Sequence, residues 1–223
     1  MLVVAAAGDP WVRWDWVGRH LDDIAAATRQ HVMLTLIAVG LGLVLSFPLA
    51  LLARRWHWLR SPILSLTGIL YTIPSLALFA MLVPVTGLSR TTSEIGLIGY
   101  TLLILVRNIL VGLDGVPDDV RESAQGMGFG PGRQLLRIEL PLAAPVIFAG
   151  VRIATVTTIG LVTVTALIGQ GGLGQLILDG LIRDFRTPLV VGSVLSVALA
   201  VVADGFLAGV QRLLTPWARR TSA

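Results

Sequence analysis

The stretch ESAQGMGFGPGRQLLRIELP, residues 122–141, puts two glutamates, two arginines and four glycines between runs of lipid-like sequence. Its immediate context predicts two short helices. Pro117 suits a first helical position, where its missing N–H costs nothing, and Asp118 and Asp119 then lie at the positive end of the helix dipole. Gly128 is placed to close that helix in a left-handed cap. Val116, Val120, Ala124 and Met127 recur at spacings of four, four and three and form one apolar stripe, with Asp118, Arg121, Glu122 and Gln125 opposite. A second helix is predicted to start at Pro131, and Pro141 reads as the first turn of the next apolar run. A helix of about eleven residues is unstable alone in water, so the first must dock, either on the chain's own helices or in a groove of a soluble partner.

Working outward, the chain of 223 residues is 55% hydrophobic and 13% charged, with a mean hydropathy of +0.83. That mix belongs in a bilayer. A helix needs about 20 apolar residues to cross ~30 Å of hydrocarbon. Residues 32–53, 61–89, 95–113, 142–168 and 187–214 meet that test, which predicts an all-α polytopic membrane protein of about five transmembrane helices. Residues 61–89 contain Pro74 and Pro84 and are expected to be kinked, tilted or broken near their outer end. Residues 1–31 mix Trp11, Trp14 and Trp16 with charged side chains and read as an extracytoplasmic segment at headgroup level. Its apolar start has no basic region before it, so it is expected to stay on the mature protein.

All 17 basic residues are arginine. Arg54, Arg55 and Arg60 follow the first span and Arg212, Arg219 and Arg220 close the last. On the opposite side Glu94 offsets Arg90, and Asp179 and Asp184 offset Arg183 and Arg186. Arginine-rich short loops stay inside, so the N-terminus is expected outside, residues 114–141 form a cytoplasmic loop, and residues 215–223 a cytoplasmic tail. Arginines so dispersed and interrupted by acids exclude a nucleic-acid surface. Without cysteine there is no disulfide or thiolate site. His20, His31 and His57 stand alone, fit no zinc pattern, and read as interfacial side chains.

The loop now carries a resemblance. Glu122, Ser123 and Ala124, then Gly128 six places after the glutamate, then Ile138, Leu140 and Pro141, resemble the E-A-A…G…I-x-L-P signature of the permease subunits of binding-protein-dependent ABC importers. Ser123 stands where that signature has alanine; both are small. YTIPSLA (residues 71–77), Arg107-Asn108, ELPL (139–142) and ALIGQGGLG (166–174) are similar to the glycine betaine/carnitine/choline branch, so the likeness covers about residues 32–214. It implies a type I permease fold, on the five-span plan that methionine-importer permeases share. It implies too that the loop bearing Val120, Glu122 and Met127 is a coupling helix gripped by an ATPase. Further implied partners are a second permease copy or paralogue and an extracytoplasmic substrate-binding protein. The substrate would be an osmoprotectant such as glycine betaine, choline, carnitine or a proline-type solute. An amino-acid permease, for instance for methionine, is the alternative. An ion-driven carrier or intramembrane enzyme is the rival from another class, although the spans hold no paired acids, serine–histidine set or metal ligands.

Three constellations remain. Gly169, Gly171, Gly172 and Gly174 form a glycine-rich outer loop that lacks the lysine and hydroxyl residue of a phosphate loop, and read as a tight turn near the pore mouth. No cofactor is expected, ATP being bound by the partner ATPase. Arg152 and Asp204 each lie ten residues from the cytoplasmic end of a predicted span, a depth of ~15 Å, and are expected to pair, with Arg107 as a competing partner. Thr155, Thr157, Thr158, Thr163 and Thr165 crowd the fourth span. Either they bond their own backbone carbonyls, or Thr155, Thr158 and Thr163 line the path.

Overall fold

The computed structural model describes residues 11–217, and every regular element among them is helical. A short α1 (Trp14–Arg19) precedes α2 (Leu21–Arg55), which runs for 35 residues. The helix therefore runs without a break through residue 31. No glycine or proline interrupts residues 21–39, and Ala25, Ala26 and Ala27 favour helix, so the polar segment and the apolar span form one rod. Residues 1–10, and Arg219 and Arg220 of the tail, lie outside the described residues.

The second apolar segment is two helices, α3 (His57–Thr72) and α4 (Ser75–Thr86), bent by 97°. The break falls at its middle rather than near its outer end. Pro74 drives the residue before it out of the helical region, and Ile73 accordingly has ψ 127°. The Tyr100 hydroxyl donates to the Ile73 carbonyl that the break sets free. Pro84 sits within α4 without breaking it.

Helix α5 (Arg90–Asp114) is the central rod, packed between α2 and the long helix that follows the loop. Leu97, Leu105, Val106, Ile109, Leu110 and Leu113 of α5 are buried against Leu34, Ala38, Ala50 and Ala53 of α2 and Ala143 and Val162 beyond the loop. Small residues let these rods approach closely. A Cβ on Gly42 would lie 2.0 Å from the Thr101 hydroxyl, and one on Gly150 2.4 Å from Asn108.

After α5 come α6 (Asp118–Gly126) and α7 (Pro131–Gln134). A π turn at Leu135–Glu139 joins α7 to α8 (Leu140–Val164), so Pro131–Ile168 forms one continuous rod of 38 residues. Pro141 thus lies in the first turn of α8, as expected, although the π turn runs into that helix without a break. Pro141 has no N–H to give the carbonyl four residues back. The wider turn, in which the Leu140 N–H donates to the Leu135 carbonyl, makes room just before it. Helix α9 (Leu173–Ile182) packs on α10 (Arg186–Leu214), whose Val194, Val197, Val201, Val202 and Phe206 remain exposed. Among the described residues four helices are long and apolar enough to cross a membrane, five crossings if the bent pair counts as one.

Candidate functional site

Helix α6 is shorter than expected by one residue at each end, because Pro117 caps it and Met127 already leaves it. Its C-terminus is a Schellman motif. Gly128, at φ +79°, donates its N–H to the Gln125 carbonyl at 2.9 Å, and Phe129 donates to the Ala124 carbonyl at 3.1 Å. The apolar stripe packs on the chain only in part. Val116 and Ala124 are buried and Val120 is half-buried, whereas Met127 is 67% exposed. Arg121 ties the helix down, donating to Asp118 at 2.7 Å and to the Leu113 carbonyl at the end of α5 at 2.8 Å. Glu122, Ser123 and Gly128 are exposed beside Met127, while Ile138, Leu140 and Pro141 are half-buried on the second limb.

Beneath this loop lies a charged cluster that sequence reasoning missed. Glu139, 5% exposed, pairs with Arg54 and accepts a hydrogen bond from Gln134 at 2.8 Å. Arg54 also lies 3.6 Å from Asp114, which Arg60 meets at 2.9 Å. The cluster therefore joins the end of α2, the start of α3, the end of α5 and the π turn leading into α8. Arg54 and Arg60 had served only to orient the chain, and Glu139 only as part of a motif. The available signal was that Arg54 and Asp114 each close a span at the same end of the bundle.

At the opposite end, the glycine-rich turn faces inward. Gly171, Gly172 and Gly174 are buried and only Gly169 is exposed. A Cβ on Gly172, at φ +51°, would sit 2.7 Å from the His31 amide nitrogen, and one on Gly174 2.4 Å from the Thr163 carbonyl. The glycines let the turn press against α2 and α8. His31 is no interfacial side chain. It is fully buried, and its Nε2–H donates to the Ile159 carbonyl at 3.0 Å. Beside the turn, Trp16, His20, Asp23, Arg90, Asp179 and Phe185 contribute to a cavity of about 720 Å3.

On the outer side of α8 and α10, the Arg152 guanidinium donates from two nitrogens to the two Asp204 carboxylate oxygens, at 2.8 Å each. Gln211 extends the pair, accepting from Arg152 at 3.4 Å and donating to the Pro145 carbonyl at 3.1 Å. Arg107 stands elsewhere, in a groove with His57, Arg60 and Ser61. Thr155 and Thr163 donate to the Val151 and Gly160 carbonyls. Thr155 and Thr158 are buried inside the chain and line no open surface, because both lie on the side of α8 turned to the core. Thr163 is half-buried.

These features match known proteins. Residues 33–216 match the family described as binding-protein-dependent transport system inner membrane component. The chain belongs to that family. It is 38% identical over 198 residues to an osmoprotectant import permease protein of Salmonella typhimurium, covering 86% of this chain and 92% of the relative. To a choline transport system permease protein of Bacillus subtilis it is 38% identical over 190 residues, covering 85% and 87%. The inward-facing methionine transporter MetNI superimposes with a TM-score of 0.78 at 18% identity, over 88% of this chain and 98% of that one. That likeness establishes the fold, an all-α ABC permease of the methionine-transporter kind. The permease is accordingly a membrane-embedded component of a transport system.

Proposed function

We propose that this permease carries an osmoprotectant of the betaine, choline or carnitine kind into the cell, driven by a separate ATPase. Two permeases, identical or paired with a similar chain, enclose the path. An extracytoplasmic binding protein delivers the solute, and an ATPase grips residues 114–141 from the cytoplasm. The N-terminus is outside and the C-terminus inside. ATP is bound and hydrolysed by the partner, and this chain needs no cofactor. ATPase closure draws the two α6 helices together and opens the path outward; hydrolysis resets it.

The observation that carries the reading is the state of α6. A nine-residue helix, capped and anchored to α5 on one face, leaves Glu122, Ser123 and Met127 unoccupied on the other. Half-docked helices of this kind are suited to a second groove on a partner. The substrate class rests on relatives that cover most of the chain, whereas the methionine transporter shares the fold at low identity. Reconstituted with its ATPase and binding protein, the complex should take up radiolabelled choline or glycine betaine in an ATP-dependent manner. Unlabelled betaines should compete and methionine should not. Competition by methionine alone would reverse the assignment.

A further inference from the structure

We infer that the face of α8 and α10 bearing Arg152 and Asp204 is a wetted wall of the translocation path, and that a zwitterionic solute exchanges its charged ends with this ion pair as it crosses. The inference rests on the osmoprotectant reading for the solute, but its geometric half stands alone. Arg152 lies near the middle of the 38-residue rod Pro131–Ile168, and Asp204 ten residues before the end of α10 at Leu214, a rise of ~15 Å. At that depth their side chains are 31% and 40% exposed on the outside of the chain. They lie in a groove of about 520 Å3 walled by Ala149, Ile153, Val156 and Thr157.

Lipid cannot cover such a face. A carboxylate and a guanidinium at mid-depth are costly unless water or protein meets their remaining hydrogen-bonding capacity. Two further observations favour water over a dry seam between copies. The face is concave, and its polar line runs on toward the α6 end of the bundle: half-buried Gln211 lies two turns beyond Asp204 and is bonded to Arg152. Hydrogen-bonding groups therefore extend from mid-depth toward that end, where water can meet them. The helices are sided accordingly. On α8, Arg152, Val156 and Thr163 recur at spacings of four and seven and share a stripe, with Thr155 and Thr158 turned inward. On α10, Val202 lies two residues from Asp204, about 200° round the helix, and is 68% exposed on an apolar face suited to lipid.

The pair is also chemically matched to its traffic. It is neutral overall, offering a carboxylate to an ammonium end and a guanidinium to a carboxylate end. A betaine can replace one set of contacts with another without leaving a bare charge. No net charge holds the solute back.

The chain has no cysteine, so single-cysteine variants of the whole complex in membranes test this directly. Ile153→Cys and Thr157→Cys should react with a charged methanethiosulfonate at least tenfold faster than Val202→Cys, and saturating glycine betaine should slow them at least threefold. Equal rates at all three positions would overturn the inference, as would groove cysteines that resist the reagent yet cross-link between copies. Labelling unaffected by glycine betaine would overturn the contact with solute. As a second measurement, the uncharged double variant Arg152→Gln/Asp204→Asn should assemble in normal amount with KM for glycine betaine raised about tenfold; an unchanged KM would count against the exchange. Absence of ATP-dependent uptake by the unmodified complex would instead sink the importer reading, while the labelling contrast would still hold.

Discussion

Replacing Gly128 isolates the contribution of a single backbone conformation to the proposed coupling helix. Its φ is +79°, and a Cβ built there meets nothing within 4 Å, so a substitution introduces conformational strain without a clash. For alanine in the left-handed region that strain is ~1–2 kcal/mol; for asparagine it is a few tenths, and for a β-branched residue more. The strain acts on the two hydrogen bonds of the Schellman motif, from Gly128 to Gln125 and from Phe129 to Ala124. About 1 kcal/mol shifts an equilibrium roughly fivefold, here from the capped end of α6 to a frayed one. Position 128 is exposed and outside the spans, so membrane abundance should not change. ATP-driven uptake at limiting ATPase should fall in the order Gly, Asn, Ala, Val, with Ala about fivefold down and Val near background. Gly126→Ala, inside the helix with open space around it, gains helix propensity and should retain uptake. Wild-type uptake by Gly128→Val, or equal damage from Gly126→Ala and Gly128→Ala, would refute the reasoning.

Glu139→Gln should lower thermal stability in detergent by ~1–3 kcal/mol. That is less than the loss of a fully buried pair, because Arg54 is 21% exposed and keeps Asp114 at 3.6 Å. Adding Arg54→Gln should then cost less than the sum of the two single changes, and strict additivity would deny the coupling. Gly174→Ala places a Cβ 2.4 Å from a backbone carbonyl that cannot yield, so abundance and melting temperature should drop by the equivalent of ~1–3 kcal/mol. Gly160→Ala, with open space, should stay within about 0.5 kcal/mol of wild type. Tyr100→Phe removes the donor to the Ile73 carbonyl and should destabilise by ~1–3 kcal/mol, measured by the same melting curves.

The parts legible from sequence are those governed by local or one-dimensional rules. Span count follows from length and hydropathy. The break before Ser75 follows from Pro74, although where a two-proline segment bends depends on which proline has a neighbour free to turn extended: Ile73 does, and Pro84 is absorbed within α4. The cap at Gly128 involves residues only a few positions apart. Arg152 and Asp204 were legible for a different reason: two charges of opposite sign at equal depth have few other partners. By contrast, His31 meets Ile159 across 128 positions and Glu139 meets Arg54 across 85. No periodicity reports such registers. His31 looked interfacial because α2 was read as beginning after it. Once the helix is known to start at Leu21, His31 falls a full turn and more inside, opposite a glycine whose missing side chain makes the room.

The two clusters near α6 bear on how motion of that helix would reach the solute. Arg121 bonds α6 to the last turn of α5, and Asp114 in that same turn meets Arg60 of α3 and Arg54 of α2. Glu139 then connects Arg54 to the foot of the long rod. A displacement of α6 therefore cannot move one helix alone; it acts on four helix ends through partners that are mostly ionic and short. Of these, only the rod beginning at Pro131 continues unbroken to Arg152. Between Pro131 and Arg152 its one departure from α-helical bonding is the π turn at Leu135–Glu139, immediately beside the charged cluster. A π turn carries its backbone bonds in a less regular register and can take up a small rotation at lower cost than the α-helix on either side. Rotation there would swing the stripe of Arg152, Val156 and Thr163 about the rod axis while Glu139 stays tied to Arg54. On this geometry Arg152 turns with the rod against Asp204 on α10, and the loop can act on the ion pair without touching it.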